Sequence, residues 1–221
     1  MLSGASFVVE TGQIAAIIGK NGCGKSTLLS IAATMLRPDS GQVLLDGKDP
    51  FKDSRLRRLI GYVAQGDSLF DELSVGDNLR FWASAAGLSG SQLLKNPFVG
   101  LLGLGDFWKK RVSRLSGGMR RRAAICAALL GNPRYILLDE PFSGLDMIYR
   151  QELGAFLREM RKMGKTLIYT THSPEELMLC DVAFLLSRGR VSRREDIPGL
   201  IESGADLQVL FLSYLKGEEI L

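Results

Sequence analysis

The sequence predicts an α/β fold: a parallel sheet flanked by helices, with a mostly helical lobe inserted into it. Three observations carry that prediction. Short apolar runs at Ile14 to Ile18, Tyr135 to Leu138 and Thr166 to Thr170 have the length and composition of buried strands. Longer stretches with helical spacing, Lys25 to Leu36 and Glu152 to Met163, alternate with them. The segment Asp77 to Arg114 is poor in β-branched residues and reads as helix and loop. Strand, helix, strand in succession demands a crossover, and a crossover gives parallel strands covered by helices.

In chain order, Ile14 to Ile18 is a strand that ends in a glycine-rich turn. Lys25 to Leu36 comes next as a helix, and Arg37-Pro38-Asp39-Ser40-Gly41 stops it. Gln42 to Leu45 reads as a short strand closed by Asp46-Gly47. Leu115 to Arg122 is a second glycine turn, leading into an apolar helix over Ala123 to Leu130. Gly164 sits where the helix of Glu152 to Met163 must stop. Ala205 to Leu215 is a weakly amphipathic helix. With 221 residues the chain reads as one domain spanning 1–221, with 77–114 as the inserted lobe and a short C-terminal helix within 200–221.

Composition narrows the function classes. Apolar residues are 46% and charged residues 24%, which excludes a disordered or collagen-like chain. The net charge of +4 is too small to argue for nucleic acid as a partner. No apolar run approaches the ~18 residues that span a bilayer. Met1 to Thr11 has no basic stretch leading into an apolar core, so no secretory signal is expected. The three cysteines, Cys23, Cys126 and Cys180, lack metal-binding spacing and read as reduced thiols of a cytosolic protein.

The chemistry lies in three places. Gly19-Lys20-Asn21-Gly22-Cys23-Gly24-Lys25-Ser26-Thr27 fits the phosphate-binding pattern GxxxxGK[ST] between a strand and a helix. A chain of this composition meets that pattern by chance roughly once in seventy, before the strand–helix context is counted. Glycines let backbone N–H groups turn around phosphate oxygens, and the helix N-terminus adds the positive end of its dipole. Lys25 then reaches the β- and γ-phosphates, and the Ser26 hydroxyl is placed to ligate Mg²⁺. Cys23 fills a small space inside this loop. Leu115 to Met119 is a second anion site, with a Ser and two Gly opening a helix. The strand Tyr135 to Leu138 ends in adjacent carboxylates, Asp139 and Glu140. Strand neighbours point to opposite sides, so one serves Mg²⁺ while the other faces an attacking water. His172, the only histidine, comes just after the strand Thr166 to Thr170, where parallel sheets place their ligands.

These residues together resemble the nucleotide-binding subunit of ATP-binding-cassette (ABC) transporters, over essentially the whole chain. Gly19 to Thr27 resembles the Walker A loop of a P-loop NTPase core. Gln65, in Tyr62-Val63-Ala64-Gln65, resembles the Q-loop glutamine that touches Mg²⁺. Leu115 to Met119 resembles the LSGGQ signature, Ile136 to Glu140 the Walker B strand, Ser143 to Asp146 the D-loop, and His172 the switch histidine. The resemblance implies a small antiparallel β part beside the parallel sheet and the inserted helical lobe. It implies an ATPase using ATP and Mg²⁺, with Glu140 as general base or water-orienting group and His172 and Lys25 on the γ-phosphate. Ser26, Gln65 and Asp139 manage Mg²⁺, and Ser116, Gly117 and Gly118 contact the nucleotide of a partner subunit in a head-to-tail dimer. The implied partners are a separate transmembrane permease and a second ATPase chain, identical or paralogous, with no nucleic acid. The implied place is cytoplasmic, peripheral on the cytoplasmic face of the membrane.

Two departures from the family pattern carry expectations. Met119 stands where the signature has glutamine, with Arg120 to Arg122 directly after it. With Leu69 to Leu88 and Leu207 to Lys216, this resembles the exporter class that moves drugs, antibiotics and polysaccharides, so export is expected. The three arginines are expected to form a solvated helix face. A soluble cassette ATPase of the iron–sulfur-assembly type is the alternative. A translation type with two cassettes, a DNA-maintenance type with a long coiled coil, and a GTPase with an Asn-Lys-x-Asp element all lack their signatures here. Second, Met1 to Phe7 aligns with the segment just after the family's first strand and its adenine-stacking aromatic residue, which leaves an unpaired sheet edge. An aromatic stack on a base contributes roughly 1–3 kcal/mol. Either Met1 is an internal start, or the protein binds adenine without that stack, and in the second case ATP is expected to bind about ten- to a hundredfold more weakly than it binds relatives with the stack. Equilibrium titration with ATP checks this, and a dissociation constant equal to theirs refutes it.

Overall fold

The computed structural model describes residues 2–66 and 68–216. One sheet holds six strands: β1 (Ile14–Ile18), β2 (Ile60–Val63), β3 (Tyr135–Leu138), β4 (Thr166–Thr171), β5 (Val182–Ser187) and β6 (Arg190–Asp196). Their order across the sheet is β2-β3-β4-β1-β5-β6. The first five run parallel, and β6 returns antiparallel on β5 at one edge. The helices are α1 (Lys25–Ala32), α2 (Val75–Ala85), α3 (Gly90–Leu94), α4 (Pro97–Leu101), α5 (Gly117–Leu129), α6 (Met147–Lys162), α7 (Ile197–Glu202) and α8 (Leu207–Lys216).

β1 sits in the middle because it has no face to give to water. All five of its residues are at most 1% exposed. Ile14, Ala16 and Ile18 pack into the large core with residues of α2, α5 and α6. Ile17 joins Leu28, Leu29 and Ala33 on the opposite face, where α1 lies. Ala15 meets Val182 and Phe184, and the Phe7 ring packs 5.1 Å from that of Phe184. A strand buried on both faces reads as a continuous apolar run, and each fully buried Ile contributes about 1.5–3 kcal/mol. Cys126 and Cys180 belong to the same core as free thiols, and burial pushes the pKa of both up to about 12.

The lobe between β2 and α5 is built from α2, α3 and α4, each started by a side-chain cap from Ser74, Ser89 and Asn96. Asn78, fully buried, fixes the approach to it: its Oδ1 accepts from the Phe70 N–H at 2.7 Å and its Nδ2 donates to the Phe70 carbonyl at 3.0 Å. No helix among the described residues is long and apolar enough to cross a membrane.

Several boundaries differ from the sequence expectation. α1 ends at Ala32, short of Leu36. Thr34 turns left-handed at φ +61°, and the N–H groups of Met35 and Leu36 both fold back to the Ser30 carbonyl. Met35 and Leu36 stay exposed, so a further turn would have no buried face to hold it. Gln42 to Leu45 is not a strand: Leu45 makes one bridge to Lys48 around Asp46-Gly47. Residues 5–10 also run without a ladder, although their exposure alternates. A short apolar run becomes a strand only when a neighbour takes its hydrogen bonds, and none does so here among the described residues. The antiparallel part of the fold is instead β5 with β6. α5 starts at Gly117 rather than Ala123, and α6 at Met147 rather than Glu152, because Ser116 and Asp146 cap them. Of the C-terminal segment expected within 200–221, residues 217–221 lie outside those described.

Gly61 shows how tightly α5 sits against the sheet. A Cβ there would stand 2.7 Å from the Ala128 carbonyl oxygen and 2.8 Å from Pro133 Cγ. Gly61→Ala is expected to lose about 1–3 kcal/mol of stability by forcing that contact apart. A urea titration that leaves the midpoint unchanged would contradict this packing.

Candidate functional site

Parallel pairing brings four strand ends to one edge of the sheet. Ile18 stands beside Thr171, Leu138 beside Tyr169, and Val63 beside Leu138. The residues just beyond them are therefore neighbours: Gly19 after β1, Gln65 after β2, Asp139 and Glu140 after β3, His172 after β4. Neighbouring strands lie about 4.8 Å apart, so the whole row spans a distance a nucleotide triphosphate can cover.

The loop after β1 is shaped by close approach. A Cβ on Gly19 would meet the Leu186 carbonyl oxygen at 2.4 Å and Cys23 Sγ at 2.7 Å, so only glycine fits. Gly22 at φ +78° and Gly24 at φ +106° take left-handed turns that let the chain enter α1. The first N–H groups of α1 have no intrahelical acceptor and carry the positive end of the dipole. Lys25 is 5% exposed and reaches back over the loop, donating to the carbonyls of Gly19 at 2.9 Å and Lys20 at 3.3 Å. Ser26 remains exposed at the start of the helix. A cradle of N–H groups beside a fixed ammonium is an anion site for phosphate.

The carboxylates are separated by a turn, which corrects the strand-alternation argument. β3 ends at Leu138, and Glu140 sits in the left-handed region at φ +45°. Asp139 is 2% exposed and its Oδ1 accepts from the Thr170 hydroxyl at 2.6 Å. The same hydroxyl accepts from the Glu140 N–H at 2.8 Å. The Glu140 carbonyl accepts from Arg121 Nη2, also at 2.8 Å. The Glu140 carboxylate turns the other way: Gln65 Nε2 donates to Oε2 at 3.2 Å, and His172 Nδ1 lies 3.7 Å from Oε1. Asp139 is thus a buried, fixed acceptor, while Glu140, Gln65 and His172 form a more open cluster.

Behind His172 the loop is anchored. Thr171 donates its hydroxyl to Glu176 Oε2, and Arg150 Nη1 pairs with Oε1 at 3.3 Å. Burial pushes the Glu176 carboxyl above the usual range, opposed by the Thr171 hydrogen bond and the Arg150 charge. Arg150 Nε also donates to the Leu145 carbonyl at 3.1 Å, so this loop and the Ser143 to Asp146 turn share one side chain.

The second glycine turn opens α5. Ser116 Oγ caps the helix by accepting from the Met119 N–H at 3.3 Å. Gly117 and Gly118 form the first turn. A Cβ on Gly118 would stand 2.6 Å from the Tyr149 ring, so the glycine lets α6 pack against α5. The three arginines after this turn are not a solvated face. Arg120 pairs with Asp71 at 2.6 Å. Arg122 lies over the rings of Phe107 and Tyr149, at 5.2 and 5.0 Å. Arg121 reaches the strand ends. Sequence reasoning missed Arg121 and Thr170. The signal for Arg121 was present, since Ala123, Ala124, Ile125 and Cys126 are all buried and such a helix has no wet side to offer. Thr170 carried no signal, because a β-branched residue in a strand needs no further reason.

Similarity to known proteins agrees with this geometry. The ABC transporter family profile matches residues 2–143, and an AAA domain profile matches residues 109–178. The ABC transporter ATP-binding protein NatA of Bacillus subtilis (strain 168) is 32% identical over 217 residues, covering 95% of this chain and 88% of that protein. The sulfate/thiosulfate import ATP-binding protein CysA of Gloeobacter violaceus is 37% identical over 189 residues, 84% of this chain but 55% of that protein. The Nod factor export ATP-binding protein I of Rhizobium sp. (strain N33) is 36% identical over 215 residues, 95% and 70%. Among solved structures, an ATP-binding subunit of an ABC transporter superposes with a TM-score of 0.82 at 28% identity, covering 96% of this chain and 92% of that one. The ATP-binding cassette MJ0796, as a dimer in a post-hydrolysis state bound to ADP and Pi, superposes with a TM-score of 0.79 at 27% identity, covering 89% and 90%.

The Thr170 hydroxyl serves both carboxylate residues at once, and its loss strands a buried donor and acceptor. Thr170→Val is expected to cost about 1–3 kcal/mol of stability. Thermal unfolding checks this, and a melting temperature equal to that of the wild type would contradict the bridge.

Proposed function

The chain belongs to the ABC transporter family of ATP-binding proteins, and from that premise we propose how its own residues carry out ATP hydrolysis for transport. The observation that carries the reading is the meeting of the Lys25 loop, the Asp139–Thr170 pair and the Gln65–Glu140–His172 cluster at one end of the sheet. ATP places its phosphates on the N–H groups that open α1. Lys25 exchanges its two loop carbonyls for β- and γ-phosphate oxygens. Glu140 orients a water, or takes its proton, as the water oxygen bonds to the γ-phosphorus and the bond to the bridging oxygen breaks, giving ADP and inorganic phosphate. His172 stands beside the Glu140 carboxylate to hold the γ-phosphate, and Gln65 gives up its hydrogen bond to Glu140 when nucleotide arrives.

The donor set suits Mg²⁺. Ser26, Gln65 and Asp139 offer hard oxygen atoms, one of them on a buried carboxylate, and Mg²⁺ is commonly held by one or two such groups together with phosphates. When bound it would supply neutralisation of the charge on the phosphates. Among the described residues no cluster of three acidic, histidine or cysteine side chains forms a metal cage, and Mg²⁺ held through phosphates needs none.

In the working protein, two such chains pair head to tail, identical or paralogous, and Ser116, Gly117 and Gly118 cover the nucleotide of the partner. The exposure of Ser116 and Gly117 at the start of α5 supports that role. ATP closes the pair and hydrolysis opens it, because only the γ-phosphate is contacted from both sides. The helical lobe of 77–114 passes closure to a separate transmembrane permease, which holds the chain on the cytoplasmic face of the membrane. Relatives include an importer and an exporter by name. We favour export, on Met119 and the basic run Arg120 to Arg122 in the signature.

Glu140→Gln is expected to bind ATP within about threefold of wild type while turnover falls about a hundredfold or more. Steady-state phosphate release and ATP titration check this together, and wild-type turnover by the variant overturns the assignment. With ATP, the same variant is expected to co-purify a polytopic membrane protein from native membranes. Recovery of soluble partners alone would favour the iron–sulfur-assembly type of cassette.

A further inference from the structure

We propose that Arg121 is a positioning residue for hydrolysis: its guanidinium ties α5, which begins with the signature turn, to the backbone that presents Glu140 and Gln65. The inference rests on the reading of Glu140 as the group that acts on the attacking water. Glu140 is held in a left-handed conformation, φ +45°, that a residue with a side chain rarely adopts. Such a conformation persists only where its surroundings fix it. Three contacts do so here. The Glu140 N–H donates to Thr170 Oγ1 at 2.8 Å, and its carbonyl accepts from Arg121 Nη2 at 2.8 Å and from the Ser143 N–H at 3.2 Å. The Ser143 bond is local to the turn, so without Arg121 the peptide group after Glu140 keeps its turn but loses its tie to α5, and the carboxylate loses its fixed aim at Gln65 and His172.

The same guanidinium reaches further. Nη1 donates to the carbonyl of Ala64 at 3.2 Å, one residue before Gln65. Nη2 also lies 3.5 Å from the Asp139 carbonyl. A planar fork sends donors from separate nitrogens toward two strand ends at once, whereas the donors of a lysine ammonium all leave one nitrogen and reach only acceptors gathered around it. The other end of this clamp is rigid. Arg121 stands on a helix in which Ala123 to Cys126 are buried in the core, and Gly118 is locked against Tyr149. A small shift of the α5 N-terminus is therefore delivered to both Glu140 and Gln65. In the head-to-tail pair, the partner's nucleotide at the signature turn would set the geometry of this chain's own carboxylate. Arg121 touches backbone atoms at the strand ends, so it shapes the reaction through Glu140 and Gln65 and not through a contact of its own with ATP.

The test compares wild type with Arg121→Gln, Arg121→Lys and the double variant Arg121→Gln/Glu140→Gln, in ATP titration, phosphate release and thermal melting. Arg121→Gln is expected to bind ATP within about twofold of wild type while kcat falls about ten- to a hundredfold, as a misplaced group of this kind does. Arg121→Lys is expected to recover part of kcat, since one carbonyl can be held. The double variant is expected to be no slower than Glu140→Gln alone, because both changes act on one group. A purely structural arginine would instead lower melting, binding and kcat together, and would add its loss to that of Glu140→Gln. Either of those results, or an unchanged kcat in Arg121→Gln or in a folded Arg121→Lys, overturns the proposal. An inactive wild type removes the hydrolytic reading itself and this inference with it. An active wild type with an unaffected Arg121→Gln removes the inference alone.

Discussion

The pairing of β1 with β4 on one side and β5 on the other is the constraint that builds the site. β1 is apolar on both faces, so it can be placed only between two strands and between two layers of helix. Its crossover helix must then begin at its C-terminal end, where the chain turns through Gly19 to Gly24. β3 and β4 join the same parallel set, and their ends arrive beside that turn in register. The site is thus not assembled by loops that search for one another. It is laid down by the direction in which the strands run, which is why ligands of such sheets sit where they do.

Much of this was legible because it rests on local rules. The glycine loop is recognisable since each residue type answers a physical need: close approach at Gly19, a left-handed turn at Gly22 and Gly24, and an ammonium at Lys25. The strands Ile14 to Ile18 and Tyr135 to Leu138 are apolar enough to be read directly. Helix starts were misplaced where a cap, and not apolar spacing, decides them. Ser116 and Asp146 each begin a helix before its apolar stripe does. Gln42 to Leu45 failed for the opposite reason: strand pattern is a property of a pair, and one run shows only half of it.

What stayed hidden depends on contacts between elements far apart in the chain. Thr170 and Asp139 are 31 residues apart, and Arg121 and Ala64 are 57 apart. No period or motif links them. Arg121 was misread because a run of arginines on a helix usually faces water, and residue type was weighed above surroundings. Each of the three arginines found a different partner instead: a carboxylate, two aromatic rings, and a set of backbone carbonyls. Arginine suits all three, because its fork is planar, weakly hydrated and always charged.

The site also divides into a fixed half and a responsive half, and the division has a physical cause. Asp139 and Thr170 are buried, at 2% and 0% exposed, and satisfy each other. To move either of them would leave a buried polar group without a partner, which costs about 1–3 kcal/mol. Lys25, at 5% exposed, is held in place by the loop and can trade its carbonyl acceptors only for other oxygen atoms. Gln65 is exposed, and the His172 side chain is 52% exposed. Their contacts with Glu140 can be exchanged for water or for phosphate at little cost. Glu140 lies between the halves. Its backbone belongs to the fixed one, through Thr170 and Arg121, and its carboxylate to the responsive one. In the proposed cycle that is what a water-orienting group needs, since the water must be held still while the γ-phosphate beside it comes and goes. A ligand shifts a structure only through contacts that differ between its states. Here the contacts free to differ within one chain are those of the exposed side chains, and the backbone that aims them follows α5 through Arg121.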